Sequence, residues 1–249
     1  MVISSMEKNV HFKTKGGYQI YGTLKIPKKS AKNLVIFAHG LSDHRNTHLI
    51  FNGSKYFQKK GWTSFRFDFY SGEKGGRKLQ DVTLRSQTED LEKVVVHFQK
   101  DFEKIFVIGH SLACPSILQM NLNQVAGVIL LEPSTRLSTS VAKKFFPFSS
   151  KFDCPIFTYG SEILLGKNLL REWVSLPKPK ELVKDMQKPI LIVSAGRGSL
   201  KKSGREYFQT VPCFEKKFFC VVGATHCFDE EGTEETIFEE AFKFLSMVP

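Results

Sequence analysis

The sequence predicts an α/β fold: a mostly parallel central sheet flanked by helices. From Asn33 onward, short apolar runs of strand length alternate with longer stretches of helical period. The apolar runs are almost continuous, which is typical of parallel strands that are buried on both faces. The 249 residues, 41% of them hydrophobic, suffice for one large domain that spans residues 1–249.

The elements are predicted in a regular order. Residues 10–26 alternate like an edge hairpin with its turn at Gly16 and Gly17, and they end before a proline. The strands predicted after the hairpin are residues 34–38, 62–69, 104–108, 125–131, 189–193 and 217–222. The predicted helices are residues 47–60, 83–99, 112–121, 200–208 and 233–247.

Residues 134–185, called the insertion below, interrupt this alternation. They contain four prolines and many aromatic side chains, among them Phe145, Phe146, Phe157 and Trp173. A segment of this length is too long for a plain connection, and such segments usually act as lids or binding loops. We therefore predict a lid insertion within the single domain.

Composition argues against several classes of protein. No apolar run approaches the ~20 residues of a membrane-spanning helix, and Met1 to Val10 lacks the apolar segment of a signal peptide. The five cysteines form no C-x-x-C pair, which favours reduced thiols over disulfides or a zinc site. We expect a cytoplasmic protein that needs no metal ion and no cofactor and has no integral membrane association.

The net charge of +11 raises the question of a nucleic-acid partner, because clustered cations bind phosphates. The cations are spread along the chain, however, and most of the 36 basic residues are lysine. Arginine, the better bidentate ligand of phosphates and bases, is scarce. We therefore expect a small-molecule substrate and no nucleic acid.

The pentapeptide Gly-His-Ser-Leu-Ala at residues 109–113 lies between a predicted strand and a predicted helix. A sharp turn there can hold the hydroxyl of Ser111 exposed as a nucleophile, and the small residues on either side let strand and helix approach closely. The first N–H groups of the helix then point at the group under attack. The alternative is a serine in an ordinary strand-to-helix loop.

Two other strand ends carry residues that suit the same chemistry, because the carboxyl ends of parallel strands meet at one ligand-binding edge. After residues 34–38, Gly40 lets the chain turn so that the N–H groups of Leu41 and Leu112 can form an oxyanion hole. After the last strand, His226 follows a small-residue turn and can reach Ser111 as its base. We expect His39 to be structural, and a lone loop histidine is the alternative for His226.

These motifs together resemble the alpha/beta-hydrolase superfamily, and within it the cinnamoyl/feruloyl esterases and the monoacylglycerol lipase-like serine hydrolases. The insertion is similar to the lid that such enzymes place over an acyl or aryl pocket. The matching segments run through most of the chain, at residues 37–41, 66–69, 109–113, 189–193 and 223–226.

The chain departs from this family at two places. Residues 70–76 replace a Gly-His-Gly turn, and residues 196–199 read Gly-Arg-Gly-Ser where the family usually has the triad acid in Gly-x-x-Asp. Glu132, directly after the strand at residues 125–131, keeps the order nucleophile, acid, base, as in the pancreatic-lipase-like branch. A surface or lid-anchoring glutamate is the alternative reading. Asp185 and Glu162, in or beside the insertion, are weaker candidates for the acid.

The sequence thus predicts a serine hydrolase that cleaves small or medium carboxylic esters through an acyl-enzyme. Ser111 is the candidate nucleophile, His226 the base and Glu132 the acid. An alternative from another class is a hydrolase fold without its acid that serves as a binding or scaffold protein. A thioesterase or acyltransferase of the same fold would differ only in its leaving group or acceptor.

Overall fold

The computed structural model describes residues 6–28 and 31–249, so Met1 to Ser5 lie outside the described residues. The strands, in chain order, are β1 (Met6–Lys13), β2 (Gln19–Ile26), β3 (Asn33–Ala38), β4 (Thr63–Asp68), β5 (Lys104–His110), β6 (Gly127–Leu131), β7 (Phe148–Ser149), β8 (Cys154–Tyr159), β9 (Ser161–Leu164), β10 (Ile190–Ala195) and β11 (Lys216–Val221). The α-helices are α1 (His48–Lys59), α2 (Leu84–Phe98), α3 (Ala113–Gln119), α4 (Thr139–Phe145), α5 (Lys167–Ser175), α6 (Pro179–Leu182), α7 (Lys201–Thr210) and α8 (Thr233–Ser246).

Eight of these strands form the central sheet, in the order β1, β2, β4, β3, β5, β6, β10, β11. The pairs β1–β2 and β2–β4 are antiparallel, and the other neighbours are parallel. The predicted hairpin is β1 and β2, and Gly17 in its turn has a positive φ of 84°. The mostly parallel sheet confirms the predicted class.

Helices cover the sheet on both faces. Alternate residues of each inner strand point to opposite sides of the sheet, so an apolar strand gives both faces an apolar surface that helices bury. In β3, Leu34 and Ile36 belong to one apolar cluster, which α2 and α3 complete, whereas Val35 and Phe37 belong to a second, which α1 and α8 complete. This double burial explains the continuous apolar runs in the sequence. The carboxyl ends of β3, β5, β6, β10 and β11 therefore share one edge.

The insertion between β6 and β10 has its own structure. It contains α4, a three-stranded antiparallel sheet in the order β7, β8, β9, and the short helices α5 and α6. The Trp173 indole N–H donates to the Thr135 carbonyl at 2.9 Å, and the Phe146 ring lies 5.3 Å from that of Phe157 and 5.5 Å from that of Trp173. This aromatic group ties α5 to the start of the insertion.

In the part of the chain that the structure describes, none of the helices is long and apolar enough to cross a bilayer.

Candidate active site

Ser111 lies in the sharp turn between β5 and α3. Its φ of 53° is in the left-handed region, and its N–H donates to the Leu131 carbonyl at 2.9 Å. A Cβ at position 109 would overlap the Ile117 side chain of α3, so glycine allows the close approach of strand and helix. The strained turn places Ser111 in the lining of the cavity described below.

His226 follows β11, and its ring bridges two other candidate residues. Its Nε2 lies 3.1 Å from Ser111 Oγ, and its Nδ1 lies 3.4 Å from Glu132 Oε2. The loop that carries the ring is held on both sides, since the Thr225 N–H donates to the Glu230 carboxylate and Phe228 is fully buried. A hydroxyl, an imidazole and a carboxylate therefore form one continuous chain of contacts.

Glu132 begins the loop after β6 and is completely buried. Its Oε1 accepts the Ala195 N–H at 2.8 Å, and its Oε2 accepts the Leu200 N–H at 3.2 Å. A Cβ at position 198 would come within 2.6 Å of Glu132 Cδ, so Gly198 leaves the space that the carboxylate fills. Main-chain N–H groups thus hold a buried carboxylate, as strong charge-assisted donors can.

The other candidate acids lie elsewhere. Glu162 in β9 and Asp185 after α6 are both exposed, and neither is the residue that faces His226 Nδ1. Ser199, the last residue of the Gly-Arg-Gly-Ser segment, lines the cavity described below. The structure therefore brings Glu132, and neither of the weaker candidates, to the imidazole.

Leu41 and Leu112, the predicted oxyanion donors, lie beside Ser111. Leu112 immediately precedes α3, and the Leu41 side chain packs against the small apolar cluster that contains Leu112. Within residues 6–28 and 31–249, neither main-chain N–H donates to another protein group. A main-chain N–H without a protein acceptor can donate to an anionic oxygen of a ligand.

The two histidines nearest to the site make structural contacts. His39 lies with Nδ1 2.8 Å from the Gly40 carbonyl and accepts the Phe69 N–H at Nε2, and burial lowers its pKa. His110 turns away from the serine hydroxyl, and its Nε2 lies 3.0 Å from the His226 carbonyl. Burial lowers the pKa of His110 to about 3, and the neighbouring His226 adds to this effect.

Ser134 is a site residue that the sequence reasoning missed. Its Oγ lies 3.5 Å from Ser111 Oγ, and its N–H donates to the Ser111 carbonyl at 3.1 Å. The buried Tyr207 hydroxyl donates to the Ser134 carbonyl at 2.9 Å. Ser134 could have been predicted from its position two residues after Glu132, because both residues belong to one turn after β6.

A cavity of about 840 Å³ opens over Ser111 and His226. One wall is apolar and comes from the insertion, with Val141, Phe145, Phe146, Phe157 and Trp173. Polar lining residues come from the loops after β3 and β11 and from the first residue of α1, with Asp43, His44, His48 and Asp229. Among the described residues, no group of three or more His, Cys, Asp or Glu side chains is placed to hold a metal ion.

No family model and no curated protein matches the chain by sequence. Solved structures do. Est1E from Butyrivibrio proteoclasticus, with ferulic acid bound, superposes with a TM-score of 0.81 at 20% identity, over 96% of this chain and 98% of that one. The alpha/beta hydrolase GrgF from Penicillium sp. sh18 gives a TM-score of 0.79 at 15% identity, over 98% and 99% of the two chains. The esterase domain of a Rhodothermus marinus protein gives 0.74 at 18% identity, over 96% and 97%. The chain has the alpha/beta-hydrolase fold.

In an alpha/beta hydrolase, the turn after the fifth strand of this sheet holds the nucleophile. Ser111 occupies that turn, and the order of Ser111, Glu132 and His226 along the chain is the order that the fold uses. At the end of β10 and directly before α7, main-chain N–H groups contact the Glu132 carboxylate. Fold likeness at this level of identity establishes the architecture, and the chemistry depends on the site.

Proposed function

We propose that the chain is a serine hydrolase that cleaves carboxylic esters through an acyl-enzyme on Ser111. One observation carries the proposal: His226 lies within hydrogen-bonding distance of Ser111 Oγ at 3.1 Å, with the buried Glu132 behind it at 3.4 Å. A nucleophile, a base and a group that orients the base are the parts that acyl transfer requires.

The proposed reaction has two halves. Ser111 Oγ attacks the ester carbonyl carbon while His226 Nε2 takes the hydroxyl proton, and the resulting oxyanion accepts the N–H groups of Leu41 and Leu112. The tetrahedral intermediate collapses, the C–O bond to the alcohol breaks, and His226 returns the proton to the leaving oxygen. Water then attacks the acyl-enzyme with the same proton transfers and releases the acid and free Ser111.

Glu132 acts through His226 in this mechanism. Its carboxylate accepts the Nδ1–H, which leaves Nε2 unprotonated toward Ser111 and stabilises the imidazolium formed during attack. The N–H groups of Ala195 and Leu200 keep the carboxylate in place while the charge on the ring changes. Each oxyanion donor is expected to contribute about 2.7–4 kcal/mol to transition-state stabilisation.

The cavity supports a substrate with an apolar acyl or aryl part of small or medium size. The insertion, in its proposed role as a lid, supplies the aromatic wall, which includes Phe157 and Trp173. The similar structure Est1E holds ferulic acid, so an aryl-propenoate ester such as methyl ferulate belongs in the substrate panel beside short p-nitrophenyl esters. The cytoplasmic location stays a prediction from the sequence.

Turnover of a short p-nitrophenyl ester tests the proposal. We expect Ser111→Ala to abolish turnover while circular dichroism and thermal unfolding stay at wild-type values, because the substitution removes one oxygen atom from the turn. Ser199→Ala, in the same cavity but with no proposed role in bond cleavage, is the matched control and should keep most of the activity. Retained turnover in Ser111→Ala would exclude the serine mechanism.

A binding or scaffold protein with this fold is the second candidate, suggested by the Gly-Arg-Gly-Ser sequence at residues 196–199. Labelling with a fluorophosphonate separates the two, because only an activated serine reacts with it. The proposal requires that Ser111 is labelled and that His226→Ala prevents labelling. A thioesterase or acyltransferase would also be labelled, and comparison of matched oxygen esters and thioesters, with and without added alcohol acceptors, distinguishes these activities.

A further inference from the structure

Exposed apolar side chains gather in one short part of the insertion. Among the described residues, ten large apolar side chains are exposed, and four of them lie within residues 141–152. These four are Val141, Phe145, Phe148 and Phe152, with exposed fractions of 39%, 51%, 58% and 43%. Exposed apolar side chains are ordinary when scattered singly, whereas a group of them marks an interaction surface.

The same segment is basic. Residues 139–152 contain three lysines and no carboxylate. Ammonium groups lie over the exposed rings: Lys144 is 5.4 Å from the Phe145 centroid and Lys151 is 5.1 Å from that of Phe152.

The nearest carboxylate along the chain does not offset this charge. Asp153 Oδ2 lies 2.7 Å from Lys167 Nζ, and this same ammonium group is 5.3 Å from the Phe148 centroid. We call residues 139–153 together with Lys167 the aromatic-lysine patch.

The patch borders the catalytic cavity. Val141 and Phe145 line the cavity that opens over Ser111 and His226, whereas Phe148 and Phe152 belong to the exposed set and lie outside its lining. A molecule held at the patch is therefore next to the entrance of the cavity. The surface and the site are continuous.

We propose that the aromatic-lysine patch docks onto a lipid surface that carries anionic headgroups. Phenylalanine rings enter the boundary between headgroups and acyl chains, while lysines pair with lipid phosphates and carboxylates. Both features of the patch, exposed rings and uncompensated cations, are needed for this partner. A second copy of the chain would cover the rings but would place lysines against lysines, which is unfavourable.

Docking would also narrow the substrate class, and this step rests on the proposed function. An amphiphilic ester has its polar part at the lipid surface and its apolar part below it. With Val141 and Phe145 shared between the patch and the cavity, the acyl part can move from the lipid to the aromatic wall with little exposure to water. The natural substrate is then an ester that resides in lipid assemblies.

Sedimentation with vesicles tests the docking surface. The full-length protein is mixed with vesicles of phosphatidylcholine, with and without phosphatidylglycerol, at low and at physiological salt. We expect binding to require phosphatidylglycerol and to weaken as salt rises. Phe148→Ser with Phe152→Ser should weaken binding at least about tenfold, and Lys144→Gln with Lys151→Gln roughly 25-fold, at about fivefold per lysine.

Phe214→Ser is the matched control, because Phe214 is fully exposed but lies outside the insertion. It should bind vesicles like the wild type, as should Ser111→Ala, so failure of the proposed chemistry is distinguishable from failure of docking. Turnover of a soluble short ester by the Phe148 and Phe152 double variant reports that the fold is intact. Three results overturn the proposal: no vesicle binding, equal loss in Phe214→Ser, or self-association that the double variant abolishes.

Discussion

The ends of the neighbouring strands β6 and β10 differ in what they contribute to the site. The end of β6 supplies a carboxylate, on Glu132 with a positive φ of 44°. The end of β10 and the start of α7 supply two main-chain N–H groups, from Ala195 and Leu200, and Gly198 between them leaves the space that the carboxylate fills. In this chain the carboxylate that faces the imidazole therefore comes from the end of β6, and the residues after β10 hold it in place.

The difference has an energetic side. A buried carboxylate without partners is strongly unfavourable, and a non-glycine residue with positive φ costs about 1–3 kcal/mol. Glu132 bears both costs, and the N–H groups at the end of β10 and the ring of His226 offset the first. An arrangement that concentrates strain and burial at one residue is typical of functional sites.

The largest loss of activity is expected when the negative charge of Glu132 at the end of β6 is removed. In Glu132→Gln, the amide cannot accept the Ala195 N–H, the Leu200 N–H and the His226 Nδ1–H together, so the imidazole adopts the wrong tautomer. We expect kcat to fall by up to about 10⁴-fold. Glu162→Gln, at an exposed glutamate of β9, is the control and should match the wild type. A near-normal rate in Glu132→Gln would assign the acid elsewhere.

The contribution of the segment after β10 can be tested without substituting any proposed catalytic residue. Gly198→Ala places a Cβ within 2.6 Å of Glu132 Cδ and 2.8 Å of Ala195 Cβ, so the carboxylate must shift. Because a displacement of about 1 Å can cost about 10²-fold, we expect kcat to fall by that factor while KM changes little. Gly72→Ala, where an added Cβ meets no atom within 4 Å, should leave kcat unchanged.

The same contrast explains how much the sequence could predict. Ser111, Glu132 and His226 could be predicted as candidate site residues because the sequence gives the type of each side chain and its place after a predicted strand. The carboxylate-binding N–H groups are not, since every residue except proline has one and only the fold decides where it points. The small sheet β7, β8, β9 was missed because prolines and aromatic residues hide any alternation in the insertion. Gly198 was the readable clue, as a glycine where a carboxylate approaches closely.

The end of β5 differs from that of β6 in charge: β5 ends at the buried, neutral imidazole of His110, whereas the carboxylate of Glu132 follows β6. Burial lowers the pKa of His110 to about 3, so the unfolded chain binds a proton below about 6.5 that the folded chain does not. Folding stability is then lost as pH falls from about 6.5 toward 3, at up to about 1.4 kcal/mol per pH unit. We expect His110→Gln, which keeps a donor for the His226 carbonyl, to flatten this slope in urea unfolding. His11→Gln, at an exposed position of β1, should keep the wild-type slope.

The smallest change in kcat is expected when a buried hydroxyl is removed, and β6 and β10 each offer one such hydroxyl for comparison. Ser134, after β6, lies 3.5 Å from Ser111 Oγ and donates its N–H to the Ser111 carbonyl. Ser194, in β10, has a buried hydroxyl without a partner among the described residues. A single hydrogen bond contributes about 0.5–1.5 kcal/mol, so Ser134→Ala should lower kcat by at most about tenfold, with KM unchanged. Ser194→Ala should leave both constants unchanged and not lower the free energy of unfolding, because its hydroxyl gains nothing from burial. Equal effects of the two substitutions on kcat would mean that the end of β6 contributes only Glu132, and that Ser134 does not position the nucleophile.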